Sequence, residues 1–200
     1  MALLEAAEQL VVEGGVDSVG VRPVAERAGT STRAVYALFG SRQGLMQGLA
    51  ERAFNLLGDR VGSLPLSEDP GEDLVRGSVL GFRGYVVEHP DLFRLFFSPS
   101  TSLDAFGSGV RSAASASYEQ LIRRVQRVHE AGQLGDYTVA EAVVLWDAIC
   151  TGLAMREVCG LIDRENAETI WYDGLRALLA GLSSTSSQLK AIPTATSKAG

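Results

Sequence analysis

Lysine is almost missing from this chain. Only Lys190 and Lys198 are lysines among the 18 basic residues, and both lie near the C-terminus. A Gly-rich phosphate loop needs its own lysine, so that nucleotide chemistry is excluded over the rest of the sequence. Histidine is as scarce, and His89 and His129 are too few and too scattered for a metal cluster or a recognisable triad. There is no G-x-S-x-G elbow. Asp69, Glu72 and Asp73 cluster, but at a loop-to-helix transition where they read as solvated helix-start acids. No catalytic residue, metal site or cofactor is therefore expected. The two cysteines, Cys150 and Cys159, fall nine residues apart in one helical pattern. That spacing is about 13 Å, too far for a bridge, so they read as core residues of a reduced protein. No apolar run reaches the roughly 18 residues that cross a bilayer, and the N-terminus lacks a signal peptide's basic start. A cytoplasmic protein without membrane contact is the expectation.

Charge is unevenly spread. The chain of 200 residues carries a net −6, which looks wrong for a partner of nucleic acid. Residues 1–17 hold four acids and no Lys or Arg, whereas residues 18–60 hold six arginines against three acids, a local +3. The positive charge is confined to one segment, and the acidic remainder limits nonspecific adhesion to nucleic acid. No basic arm precedes the first helical pattern, so contact with a DNA minor groove by such an arm is not expected.

That positive segment also contains the most informative stretch, GVRPVAERAGTSTRAVYALFGSRQGL, residues 20–45. Val24, Ala25 and Ala28 form the apolar stripe of a short helix, and Gly29 follows where a left-handed cap suits glycine. Ser31 or Thr32 caps a second short helix, whose Val35, Tyr36 and Phe39 recur at helical spacing. Two such helices joined by a few residues containing Gly describe a helix-turn-helix, whose second helix enters the major groove by its N-terminal residues. Here those residues are Thr32, Arg33 and Ala34: an arginine able to bond guanine edges or phosphates, between small neighbours that allow close approach.

The segment resembles the TetR family of one-component bacterial regulators. Arg22, Val24-Ala25, Ala28-Gly29, Ser31, Tyr36, Phe39, Ser41 and Leu45 stand where that family's pattern places them. Gly20 replaces the family's usual capping Thr, which weakens that helix start, and Arg42 replaces its Lys. Arg42 would hold a phosphate at a helix N-terminus. The resemblance implies a DNA-reading head in which Arg22, Ser31, Thr32, Arg33, Ala34, Tyr36 and Arg42 meet double-stranded DNA. It further implies a homodimer on a palindromic operator, acting as a repressor released by a small apolar or amphipathic effector. A carrier protein of the same fold that no longer reads DNA, and a transcriptional activator, remain as alternatives.

Beyond the head, the pattern stays helical, and an all-α fold is expected, with a three-helix head over 1–45, a helical-bundle body over 46–182 and a disordered tail over 183–200. Helices are expected over 2–14, 41–60, 72–88, 91–97, 110–131, 138–161 and 165–182. The segments HPDLFRLFF and LWDAICTGLAMREVCG resemble the ligand-binding domain of a TetR subgroup whose late helix carries a Trp followed by His-Gly. Trp146 and Gly152 match, but Thr151 replaces the histidine, so the recognised chemistry is expected to differ. Phe82, Tyr85, Phe93, Tyr118, Trp146, Ile149 and Cys150 supply candidate walls for an apolar pocket, although for any single one of them ordinary core is the better reading. Gly77, Gly81 and Gly84 clear one helical stripe of side chains, which points to a closely packed neighbouring helix rather than a void. The last two helices are expected to dimerise, with Trp146, Leu153 and Val158 facing one way and Met155, Cys159, Ile170, Gly174 and Leu178 forming a second face.

Overall fold

The computed structural model describes residues 2–97 and 106–184, and every regular element among them is helical. The expected tail from 185 onward and most of the expected loop over 98–109 lie outside the described residues. The head comprises α1 (Ala2–Gly14), a single 3₁₀ turn (Val16–Ser18), α2 (Val21–Arg27) and α3 (Thr32–Phe39), and runs into the long α4 (Arg42–Gly62). The body follows with α5 (Pro70–Arg76), a π-helical stretch (Gly77–Arg83), α6 (Gly84–Glu88), α7 (Pro90–Phe96), α8 (Ser108–Glu130), α9 (Val139–Val158) and α10 (Arg164–Ser184).

Local chemistry explains the head. Gly29 sits at φ 64°, the amide of Thr30 donates to the Ala25 carbonyl and that of Gly29 to Glu26, so a Schellman motif ends α2. The Ser31 hydroxyl accepts from the Ala34 amide at 3.2 Å and starts α3; Ser41 does the same for α4 through Gly44 at 3.0 Å. Gly20 begins α2 with no side-chain cap, as its lack of an oxygen dictates. Val24, Val35, Leu45 and Leu49 are fully buried and hold the three short helices against the first half of α4.

Two hydrophobic cores result, and α4 belongs to both. Its residues Leu45, Leu49, Ala50, Ala53 and Phe54 complete the head core, past the expected boundary at 45, together with Leu92 and Phe96 of α7 and Val110 of α8. Its residues Leu57 and Val61 enter the body core beside Tyr85, Phe93, Trp146, Trp171 and Leu175. The helix expected over 72–88 is not uniform. Its middle widens into π geometry, where backbone bonds span five residues, around the three glycines. The close approach expected there is present: a Cβ on Gly81 would lie 3.2 Å from the Val61 Cα, and one on Gly77 would lie 2.8 Å from Arg124 Cδ. The buried Ser78 hydroxyl donates to the Leu74 carbonyl at 2.9 Å within this stretch.

The acids over 69–73 are not all solvated, contrary to the sequence reading. Asp69 caps α5 through the Glu72 amide, but Asp73 is 1% exposed. Asp73 accepts from Arg127 Nη1 at 2.6 Å, from the Ser67 amide at 2.7 Å and from the Ser67 hydroxyl at 2.9 Å. Arg127 also donates to the Ser67 carbonyl, and the buried Arg124 donates to the carbonyls of Asp73, Val61 and Leu64. Burial pushes the Asp73 carboxyl up, but the Arg127 guanidinium and the two Ser67 donors together outweigh it and hold the group below the usual carboxylate range. A depressed folded pKa supplies stability that is present above the unfolded value near pH 3.9 and is lost as pH falls through the folded value. Asp73→Asn should therefore cost about 3 kcal/mol near neutrality by leaving Arg127 without its counter-charge. Urea melts should show the penalty shrinking as pH is lowered from about 5 to 2; a pH-independent difference would contradict this assignment.

Candidate DNA-reading head and effector cavity

The exposed end of the head is the N-terminal half of α3. Ser31, Thr32 and Arg33 are exposed, Ala34 is half-buried, and Tyr36 is 55% exposed beside the fully buried Val35. The arginines of the head region divide sharply. Arg22 pairs with Glu26 at 2.9 Å, Arg27 with Glu13, Arg52 with Glu8 and Arg60 with Glu88. Arg42 is exposed but already engaged: it donates to the Val19 carbonyl at 2.7 Å and the Val16 carbonyl at 2.9 Å, tying the 3₁₀ turn to α4. Its expected phosphate contact therefore competes with a structural task. Arg33 has no such partner among the described residues. Leu38, further along α3, is 72% exposed between the exposed Ala37 and the half-buried Phe39.

The body holds a partly open cavity of about 680 Å³, within the range of small-molecule sites. Phe54, Leu57 and Val61 of α4 form one wall, and Ser78 and Phe82 of the π stretch form another. Phe96 and Phe97, then Ala114, Tyr118 and Leu121 of α8, and Trp146, Asp147, Cys150 and Thr151 of α9 also line it. Of the seven expected walls, Phe82, Tyr118, Trp146 and Cys150 are there. Tyr85 and Phe93 are not: both are buried behind the wall, Tyr85 packed on Phe97 and His89, Phe93 stacked on Phe97 at 5.5 Å. Ile149 lies on the outer face of α9, 42% exposed, because the inward stripe steps by four residues from 146 and 147 to 150 and 151.

Ser78, Arg111, Ser115, Ser117, Tyr118, Gln120, Arg124, Trp146, Asp147 and Thr151 bring polar groups into the lining, and Ser78, Arg111, Arg124 and Trp146 spend theirs on protein partners. Trp146 Nε1 donates to the Ser78 hydroxyl at 2.8 Å, which passes the interaction on to Leu74. Burial pushes the Cys150 thiol up to about 12, opposed by its contact with Ser78 and aided by Asp147. It is therefore an un-ionised apolar wall rather than a nucleophile. Burial also raises the carboxyl of Asp147 and the phenol of Tyr118, the latter with help from Asp147. Asp147, Ser78 and Arg124 were missed in the sequence. A signal existed for Asp147, the single acid between Glu141 and Glu157 in an otherwise apolar helix. None existed for Arg124, whose partners are at least 51 positions away.

A family model for the N-terminal domain of bacterial regulatory proteins of the tetR family matches residues 3–49. A model described as the tetracyclin repressor-like C-terminal domain matches residues 75–178. The chain belongs to the TetR family. This makes it a transcriptional regulator by type, with a helix-turn-helix head and a C-terminal ligand-binding domain. Among solved structures, a protein of unknown function from Rhodococcus sp. RHA1 superposes with a TM-score of 0.80 at 23% identity, covering 91% of this chain and 94% of its own. The TetR family regulator PfmR from Thermus thermophilus gives 0.69 at 21%, covering 91% and 99%. The fatty acid degradation regulator FadR from Bacillus halodurans gives 0.74 at 17%, covering 90% and 98%. At these identities the likeness is one of fold. No curated protein sequence matches significantly.

The division of the aromatic residues is testable by truncation. Phe93→Ala and Tyr85→Ala should each cost about 3–5 kcal/mol as core deletions. Tyr118→Ala, at a wall already 40% exposed, should cost less than about 1 kcal/mol. Chemical denaturation that ranked Tyr118→Ala with the other two would contradict the placement.

Proposed function

We propose that this TetR-family chain is a dimeric repressor that reads a palindromic operator through α3 and releases it when a small apolar or amphipathic effector fills the body cavity. The observation that carries the reading is the double membership of α4. Its first half is core to the head, and its second half, through Phe54, Leu57 and Val61, lines the cavity. An occupant that displaces α4 at the cavity end moves the reading head, and lowers operator affinity by its differential binding to the two arrangements. Arg33 supports DNA reading because its charge is unspent within the head, and Thr32, Ala34 and Tyr36 flank it on the same exposed turn. Arg33→Ala should cost about 1–3 kcal/mol at the preferred operator base, measured by fluorescence anisotropy on DNA from upstream of the gene. Equal affinities of wild type and variant for operator, with random DNA also unchanged, would overturn the assignment.

Association is supported by an apolar face that the protomer leaves open. Val144, Leu145, Ala148 and Ile149 of α9 and Ile170 of α10 are all exposed. Of the residues expected to form the second face, Cys159, Ile170 and Gly174 are exposed, whereas Met155 and Leu178 pack partly against the body core. Gly152 and Gly174 lie on these helices, and a Cβ added at either would meet nothing within 4 Å. Each such glycine costs helix stability of about 1 kcal/mol relative to alanine, a cost without return in an isolated chain but useful where a partner helix comes close. Two such helix pairs would form a four-helix bundle between protomers. Light scattering at micromolar concentration should give twice the chain mass of 21.2 kDa, and the double variant Ile149→Glu, Ile170→Glu should give the single mass. A monomeric wild type would contradict the dimer.

A further inference from the structure

Asp147 is the one carboxylate in the cavity lining among the described residues. It follows Trp146 on the inner stripe of α9, is half-buried, and makes no hydrogen bond or ion pair with any described residue. The cavity around it is lined by apolar walls, by the neutral polar groups of Ser115, Ser117, Gln120 and Thr151, and by two weak acids, Tyr118 and Cys150, both of which feel its charge. A partly desolvated carboxylate with no donor is costly unless something supplies one. The two cations that also line the cavity do not. Arg124 spends its guanidinium on the carbonyls of Asp73, Val61 and Leu64, beside the carboxylate of Asp73. Arg111 donates to the Phe106 carbonyl and sits two helical turns before Tyr118 on α8, about 10 Å along the axis.

We propose that the effector is an amphipathic amine, whose protonated nitrogen pairs with Asp147 while its hydrocarbon body lies against Phe82, Phe97 and Leu121. This rests on the reading that the cavity is the sensing site. Asp147 is the charged group of the lining left without a partner, so at this position a cationic head gains a contact, a neutral one is tolerated, and an anionic head of the same shape meets like charge. The satisfied Ser78–Trp146 pair leaves Asp147 as the position where a ligand gains a new charge-assisted bond. Thr151, one turn beyond Asp147 on the same stripe, offers a hydroxyl as a second partner for the amine.

The test is isothermal titration of the full-length protein with decylamine, decanol and decanoate at neutral pH, using wild type, Asp147→Asn and Asp147→Glu. Wild type should bind decylammonium about tenfold or more tightly than decanoate, with decanol between them. Asp147→Asn should lose about tenfold for the amine and leave decanol nearly unchanged, and Asp147→Glu should restore the preference. Should Asp147→Asn fail to fold, the wild-type ratio of amine to carboxylate decides. If decanoate binds as tightly as the amine, or the ratio survives Asp147→Asn, the charge assignment falls while the cavity stands as a sensing site. If none of the three compounds binds, the sensing reading falls with it.

Discussion

The buried guanidinium of Arg124 is the constraint on which the rest of the body depends. It reaches from the last third of α8 to the carbonyl of Val61 at the end of α4, where the helix dipole leaves partial negative charge, to that of Leu64 in the loop beyond, and to that of Asp73 in α5. Burial pulls this guanidinium below its usual value, and Asp73 opposes the shift. Arginine remains charged in such a place because its planar fork can satisfy several acceptors at once. Arg127, one turn further on, locks the same loop through Asp73 and Ser67. The end of α4, the loop after it and the start of α5 are thereby held against one helix. Gly77 follows from this, since a side chain there would collide with Arg124 Cδ at 2.8 Å.

Tied to α8 at its C-terminal end, α4 moves together with that helix, as a rod whose other end is the floor of the head. Arg42 ties that end to the turn between α1 and α2, and Leu45 and Leu49 are fully buried on the helix that packs against α1 and α3. Further links join head to body: His89 Nδ1 lies 2.5 Å from Glu8 Oε1, and Leu92 and Phe96 of α7 enter the head core. The cavity is walled on one side by this rod and on another by a π-helical stretch. Such stretches hold weaker, wider turns and recur at binding sites. A sensing mechanism needs one rigid transmitter and one wall that yields, and α4 and the π stretch supply these in the proposed function.

Local chemistry was legible in the sequence and remote pairing was not. The caps Ser31 and Ser41 and the left-handed Gly29 depend on neighbours within three or four residues, so they were readable from the stretch itself. The glycine stripe gave its close packing for the same reason, because absence of a Cβ has one main structural use. The cavity wall was readable only in part. In a uniform helix residues 78, 82 and 85 share a stripe, but the π stretch takes up more residues per turn, and Tyr85 rotates from the cavity into the core. Nothing local announces a π insertion. Asp73 looked like a solvated helix-start acid because its counter-ion is Arg127, 54 positions away. Arg42 looked free for phosphate because its acceptors are backbone carbonyls, which carry no sequence signature.

In the proposed function, occupancy of the cavity sets the position of the reading heads through α4, and a distance between heads tests this without any choice of ligand. Spin labels on Leu38→Cys in a Cys159→Ser background would report the separation across a dimer by double electron–electron resonance, since Leu38 is exposed and Cys150 is buried. Leu121→Trp fills the cavity from α8 with an indole in place of an effector. The unfilled protein should include separations compatible with recognition helices about 34–36 Å apart, and Leu121→Trp should shift the distribution away from them and weaken operator binding. An identical distance distribution in the two proteins, with Leu121→Trp folded and its cavity filled, would contradict the claim.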